Sequence, residues 1–402
     1  MNNLLVEYAK GDRSTVKRGK EMDNKKIISV IVLFALVLSG CKTKSDETAS
    51  DSSVETSDAA ELTVYKNPDN STPLRESKPS ETELPVNDTT APVILSANSS
   101  VRMNVGDIFD ANNYISYIDD YDREPKLTME SEVDTTVAGT YETAILVTDA
   151  SGNQVRKSLT VRVVGEGGAT PTPTPEGFKP SPTPTPAPKT IPFDEFVSRY
   201  NSDSSLEFGI DVSRWQSDVD YNKVKAAGCS FVIIKAGTYY KDEFVIDAKF
   251  EQNLTNAKAA GLKVGLYFYT PVTSEEILRD NVDKICEALG GRTLDLPVAY
   301  DMETWSRFQQ YKINLQDLNG LFYAFCDQLE QHGYSGMLYN SKNKLETVWD
   351  AKDHPVWLAH YTRETTYEGD YILWQVNNIG RIDGINGDVD LDIFYPDRYK
   401  NG

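Results

Sequence analysis

Leu296-Pro297-Val298-Ala299-Tyr300-Asp301-Met302-Glu303-Thr304-Trp305 is the stretch from which the rest of the chain can be read. An apolar run of strand character climbs to two carboxylates one residue apart and then breaks into a loop. Side chains alternate across a strand, so Asp301 and Glu303 share a face at the strand end. In a parallel barrel that end is the C-terminal mouth, where such barrels keep their chemistry. Two like charges held this close titrate as a unit, with one pKa raised. A carboxyl that stays protonated near neutral pH is what acid-assisted cleavage of a glycosidic bond requires. Acidic residues after a strand also form turns and helix caps, so the flanking sequence has to decide.

Outward from this stretch, strands and helices alternate. Strands are expected at Phe208–Val212, Ser230–Ala236, Lys263–Thr270, Leu296–Met302, Gly336–Asn340, Val356–Tyr361, Tyr371–Val376 and Asp388–Phe394. Helices are expected at Tyr221–Ala227, Ala248–Ala260, Glu275–Leu289, Leu315–His332 and Lys342–Trp349. Thr273 with Glu276 reads as a capping box, and Gly290-Gly291 and Gly333 read as helix stops. Helices after only the first five strands describe an α/β fold, an irregular (β/α) barrel over 193–402, shorter than the roughly 250 residues of the regular form. First and last strands of a closed barrel are neighbours. Asp211, at the end of the first, should therefore meet Asp388, Asp390 and Asp392, which alternate along the last. In the third strand Tyr267 and Tyr269 share one face and Leu266 and Phe268 the other; one pair faces the barrel interior, and the tyrosines are the pair expected there.

The segments GIDVSRWQ, FVIIKAG, VGLYFYTP, LPVAYDMET, MLYNS, HPVWLAHY, LWQV and DVDLDIF, in this order and spacing, resemble glycoside hydrolase family 25. The resemblance covers the whole C-terminal domain. It implies a muramidase (lysozyme) that cuts the β-1,4 bond between N-acetylmuramic acid and N-acetylglucosamine in peptidoglycan. No cofactor and no metal are expected at the site. By the same resemblance Glu303 is the general acid and Asp301 the carboxylate that orients the substrate's 2-acetamido group. Asp211 and Asp390 complete the acidic pocket, and Lys235, Tyr267, Tyr339, Trp357 and Tyr361 line the sugar groove. The resemblance favours a retaining reaction with acetamide participation. Phe268 stands where the family often has His, and Val376-Asn377 replaces a usual Tyr-Ser.

Residues 22–41, MDNKKIISVIVLFALVLSGC, read as an export signal: Lys25 and Lys26 precede an apolar core, Ile27–Leu38, too short to span a bilayer comfortably. Its LSGC ending resembles the bacterial lipobox, which implies a lipidated Cys41, a membrane partner through the lipid anchor, and an extracytoplasmic location. Residues 1–21 do not fit this plan and read as a misassigned start, with Met22 the true one, or as a cytoplasmic extension. Residues 42–87, rich in Ser, Thr, Asp, Glu and Pro, cannot bury a core and form a disordered tether.

Residues 88–164 change character. Short strand-like runs (Val93–Leu95, Ser100–Met103, Leu127–Met129, Tyr141–Thr148, Val155–Val164) separated by turn residues read as a small all-β sandwich. The phrases DTTAPVI, VDTTVAGTYE and VTDASGNQ resemble a bacterial immunoglobulin-like domain, which implies a rigid spacer. Asp119, Asp120, Asp122 and Asp149 are of a type that gathers calcium, although loop aspartates usually form turns. Residues 165–192 carry TPTPTP and SPTPTPAP, a stiff polyproline II strut with a reach of roughly 80 Å.

The net charge of −20 argues against nucleic acid as a partner. Four cysteines without C-x-x-C spacing and three scattered histidines leave no zinc signature. Cys229, Cys286 and Cys326, in apolar or helical settings, are expected as free buried thiols. The expectation is a monomer acting on peptidoglycan glycan strands. Two rivals come from other classes: a non-catalytic peptidoglycan-binding lipoprotein on a degenerate barrel, and an adhesive surface lipoprotein. The complete set Asp211, Asp301, Glu303 and Asp390 argues against the first.

Overall fold

The computed structural model describes residues 87–165, 190–201 and 203–399. Cys41, the export signal, the tether and most of the Pro/Thr-rich segment lie outside them.

The amino-terminal part holds six strands, β1 (Val93–Ala97), β2 (Ser100–Asn104), β3 (Ile115–Ile118), β4 (Lys126–Met129), β5 (Gly139–Thr148) and β6 (Gln154–Val164). They form a four-stranded sheet, β2-β6-β5-β4, and a two-stranded ribbon, β1-β3. Alternate residues of β5 and β6, with Val101, Met103, Ile115 and Tyr117, fill the core between the two sheets. The sequence pattern missed β3, because all four of its residues are buried and no alternation shows. Its other face explains this: Ile118, with Leu95 of β1, belongs to the core of the following domain. Burying such a side chain contributes about 1.5–3 kcal/mol, so the ribbon is shared between two cores.

The carboxy-terminal part opens with β7 (Ile191–Pro192) and α1 (Phe193–Tyr200) and continues through β8 (Glu207–Val212), α2 (Tyr221–Ala226), β9 (Phe231–Tyr240), β10 (Glu243–Ile246), α3 (Phe250–Ala259), β11 (Lys263–Tyr269) and α4 (Glu275–Leu289). It ends with β12 (Val298–Asp301), α5 (Leu315–Gln331), β13 (Gly336–Ser341), α6 (Lys342–Thr347), β14 (Val356–Ala359), β15 (Leu373–Arg381) and β16 (Val389–Phe394). Strands β9-β11-β12-β13-β14-β15-β16-β8 follow one another, and β8 also pairs with β9, so eight strands close a barrel. Pairing is parallel from β8 through β15, while β16 runs antiparallel to both its neighbours. No helix intervenes between β15 and β16, so the chain turns straight back.

Two local expectations need correction. Ser274, not Thr273, caps α4, accepting from the amide of Ile277, because the helix starts one residue later than the Thr273/Glu276 box requires. The stop at the other end is as read, with Gly290 left-handed at φ 57°. The sequence also hid the hairpin of β9 with β10, whose return runs through Lys241 and Asp242, both at positive φ.

Candidate active site

The mouth is built by register. Tyr269, Asp301, Tyr339 and Trp357 are successive partners across β11, β12, β13 and β14, so the four share one row and one face. Two residues below, Tyr267 pairs with Lys235 of β9. Leu266 and Phe268, on the opposite face of β11, are fully buried in the outer core. Phe268 therefore packs on Phe244 instead of reaching the groove, and its departure from the family pattern falls on the outer core. Closure brings Asp390 of β16 opposite Asp211 of β8.

A hydrogen-bonded frame fixes the far wall. Gln375 donates Nε2 to Asp211 Oδ2 at 2.7 Å and accepts at Oε1 from the hydroxyls of Tyr339 at 2.9 Å and Tyr361 at 2.8 Å. Trp357 donates Nε1 to Asp392 Oδ1 at 2.9 Å. The Tyr339 and Trp357 rings lie 4.5 Å apart, and Tyr267 meets Trp357 edge-on. Lys235 Nζ stands 5.6 Å from the Tyr267 ring and 5.0 Å from the Tyr269 ring, within cation–π reach. The Tyr269 hydroxyl in turn bonds Thr304 in the loop beyond Glu303.

The electrostatics follow from enclosure. Asp301 is buried; desolvation first, then Glu303 and Asp211, hold its carboxyl well above the usual range, against the pull of Lys235. Asp211 is pushed up to about 7, chiefly by burial. Asp390 and Asp392 are raised well above their ordinary value by burial and by Asp211. Glu303 is the most exposed of the five acids. Its side chain reaches solvent, yet it stands in a concave mouth, and desolvation raises its pKa while Lys235 lowers it. Burial lowers the pKa of Lys235 itself, with Asp301 the largest opposing influence. A protonatable, accessible acid beside a buried acid and a cation is an arrangement suited to proton donation.

All nine barrel residues expected at the site come together here. Asp388 does not. It precedes β16 and pairs with Arg381 at 2.9 Å on the surface, because the strand starts one residue later than expected. Gln375, the hub of the frame, lies in the LWQV segment without a site signal of its own, while Asp392, expected to meet Asp211, does so and is fully buried. Trp215, just beyond β8, was not expected at the mouth; it is 59% exposed, with the Arg214 guanidinium 5.0 Å from its ring. An exposed aromatic following a barrel strand was the available signal.

The barrel part of the chain is similar in sequence to known proteins. A family model, Glycosyl hydrolases family 25, matches residues 210–385. The chain is 31% identical over 210 residues to Lysozyme M1 of Streptomyces globisporus, covering 48% of this chain and 69% of that one. It is 29% identical over 193 residues to the autolytic lysozyme of Clostridium acetobutylicum, spanning 46% of this chain and only 55% of that relative's length. Among solved structures, the bacterial lysozyme from Streptomyces coelicolor is similar at 25% identity and a TM-score of 0.38, over 48% of this chain and 93% of that one. The matched span runs from Ile210 of β8 to Ile385 before β16 and so takes in Asp211, the Asp301/Glu303 pair and the Gln375 hub: the chain belongs to the glycosyl hydrolases of family 25.

Proposed function

We propose that the protein is a muramidase that cleaves the β-1,4 bond between N-acetylmuramic acid and N-acetylglucosamine in peptidoglycan. One observation carries the reading. The row Tyr269–Asp301–Tyr339–Trp357 sets a buried acid in an aromatic wall, and Glu303 stands solvent-accessible two residues further on. Aromatic faces suit the apolar faces of sugar rings, and a few fixed polar groups orient them.

In this reading Glu303 donates its proton to the glycosidic oxygen as the bond to the anomeric carbon breaks. Asp301, whose carboxyl burial holds high and Lys235 draws back toward ionisation, acts in this reading in its ionised form: it accepts the N–H of the 2-acetamido group and turns that group's carbonyl oxygen toward the anomeric carbon. That oxygen forms the new bond, giving a cyclic intermediate. Water then adds to the anomeric carbon, yielding its proton to the Glu303 carboxylate, and the ring of the intermediate reopens. Two displacements return the original configuration. Asp211 and Asp392 act through the Gln375 and Trp357 frame, Asp390 stands opposite Asp211, and none of the three touches the reacting atoms in this reading.

Digestion of purified peptidoglycan followed by borohydride reduction and mass analysis tests the bond. Products with reduced muramic acid ends support the reading; reduced glucosamine ends exclude it. NMR of the first-formed anomer tests the stereochemistry, and inversion would rule out acetamide participation.

The delivery rests on sequence: Lys25 and Lys26, the apolar core and the LSGC quartet support lipidation at Cys41 and an extracytoplasmic, membrane-anchored location, and the phrases DTTAPVI, VDTTVAGTYE and VTDASGNQ support an immunoglobulin-like reading of residues 88–164. Cell fractionation of Cys41→Ala tests this, with release from the membrane fraction expected and unchanged retention contradicting it.

A further inference from the structure

A second acidic cluster lies outside the barrel, at the edge of the β-rich part. One carboxylate oxygen each of Asp88, Asp119 and Asp120 lies within 4.8 Å of the other two. Asp119 has no exposed surface; its Oδ1 accepts from the amides of Tyr121 at 3.0 Å and Asp122 at 2.7 Å, while its Oδ2 is buried without a protein partner. Asp88 Oδ2 and Asp120 Oδ1 are likewise buried and unpartnered. Among the described residues none of the three forms an ion pair with Lys, Arg or His.

Buried polar atoms almost always find a partner, and buried charges are paired or coordinate a metal. Three orphaned acid oxygens converging in one place meet neither condition unless something positive joins them. The donors are all oxygen, with no imidazole or thiolate, which selects a hard cation and disfavours zinc or copper. They come from two separate segments in irregular loop geometry, which suits calcium's flexible shell better than magnesium's strict octahedron. Asp122 and Asp149 stand outside the converging set, and each of their oxygens already accepts a bond, from Glu124 and Ala150 and from the Asn153 amide and side chain.

We propose that Asp88, Asp119 and Asp120 bind a calcium ion that fixes the loop docking the β-rich part onto the barrel. The ligand loop is the docking loop. The Asp119 carbonyl accepts from Leu315 N at 2.8 Å, the Tyr121 carbonyl accepts from Asn314 Nδ2 at 2.9 Å, and Arg123 pairs with Asp317, all at the N-terminus of α5. The site is independent of the sugar chemistry assigned to the barrel.

Calorimetric titration of calcium into EDTA-treated full-length chain is the test, with thermal unfolding in calcium and in EDTA beside it. The site predicts one ion per chain, a higher midpoint of unfolding in calcium, and slower exchange of the Leu315 amide. An Asp88→Asn/Asp120→Asn variant should bind at least tenfold more weakly and lose the calcium-dependent shift. If that variant does not fold, Asp88→Asn alone serves, since its amide oxygen still accepts from Thr90. No heat and no shift at millimolar calcium in the parent chain would overturn the proposal. So would equal shifts in parent and variant, which would reduce the effect to screening of surface charge.

Discussion

Gln375 donates to Oδ2 of Asp211 at 2.7 Å across the seam where the barrel closes, and its other amide atom takes the hydroxyls of Tyr339 and Tyr361. One side chain thus holds an acid on β8 and aromatic groups supplied by β13 and by the loop after β14. Gln375→Leu should release all three. A misplacement of about 1 Å can cost on the order of a hundredfold in rate, and we expect kcat/KM on peptidoglycan to fall roughly 10- to 100-fold by the same argument, with the barrel still folded by circular dichroism. Activity within twofold of the parent would remove the frame from the mechanism.

The pH profile tests the place of Lys235. A general acid works while protonated, so activity should fall as pH rises through the raised pKa of Glu303. Desolvation raises that pKa and Lys235 lowers it. Lys235→Met removes the lowering influence, and the alkaline limb of kcat/KM should move to higher pH. A limb that stays put or moves down would separate Lys235 from the acid.

Asp392 makes stability depend on pH. Its folded pKa lies well above the ordinary value of 3.8, chiefly through burial and then through Asp211 and Asp390. Below both the unfolded and folded values each state keeps the proton and the stability is fully present. As pH rises through the folded value the unfolded chain has already released its proton, and stability is lost. Asp392→Asn keeps an acceptor for Trp357 and cannot ionise. The variant should lose less stability than the parent between pH 4 and pH 8, as followed by urea unfolding; identical slopes would mean that this carboxyl does not set them.

Lys344 joins the two described parts. Its ammonium donates to the Leu95 carbonyl, at the irregularity where β1 departs from β3, and stands 5.0 Å from the Trp305 ring. Lys344→Met leaves that carbonyl unpaired and should cost about 1–3 kcal/mol, read by denaturant unfolding. Burial lowers the Lys344 pKa to about 8. The parent should therefore gain stability as pH rises from about 8 toward the ordinary lysine value, because the unfolded chain binds the extra proton there. The variant should lack this gain, and a parental gain retained in it would assign the effect elsewhere.

Much of the barrel was legible because each strand carries its own signal. Apolar runs end in turn residues, and i, i+2 spacing alone puts Asp301 and Glu303 on one face. Closure between β8 and β16 followed from counting strands. What sequence hides is pairing between distant segments. Asp392 looks like any third acid in DVDLD until Trp357 is found bonded to it, and Gln375 looks like an ordinary strand amide until two tyrosines converge on it. Strand β3 escaped for a related reason. Ile115–Ile118 is covered on one face by its own sheet and on the other by the barrel, so the alternation that marks a strand disappears. Because of that shared ribbon the β-rich part is docked on the barrel, where a rigid spacer held off by a polyproline strut was expected. The same contact brings the Phe308–Tyr311 turn, which follows the Glu303 loop, against β3, with Gln309 donating to the carbonyls of Asn112 and Ile115.

In the proposed reaction Glu303 supplies the proton for glycosidic cleavage. The direct measurement is the rate of muropeptide release by the full-length chain and by its Glu303→Gln variant, with binding to peptidoglycan measured on both. The amide keeps the shape and removes the proton, so kcat should fall roughly 10²- to 10⁴-fold, the usual contribution of a general acid, while binding and folding persist. Release by the variant within tenfold of the parent would contradict the account and move the acid to another residue of the mouth.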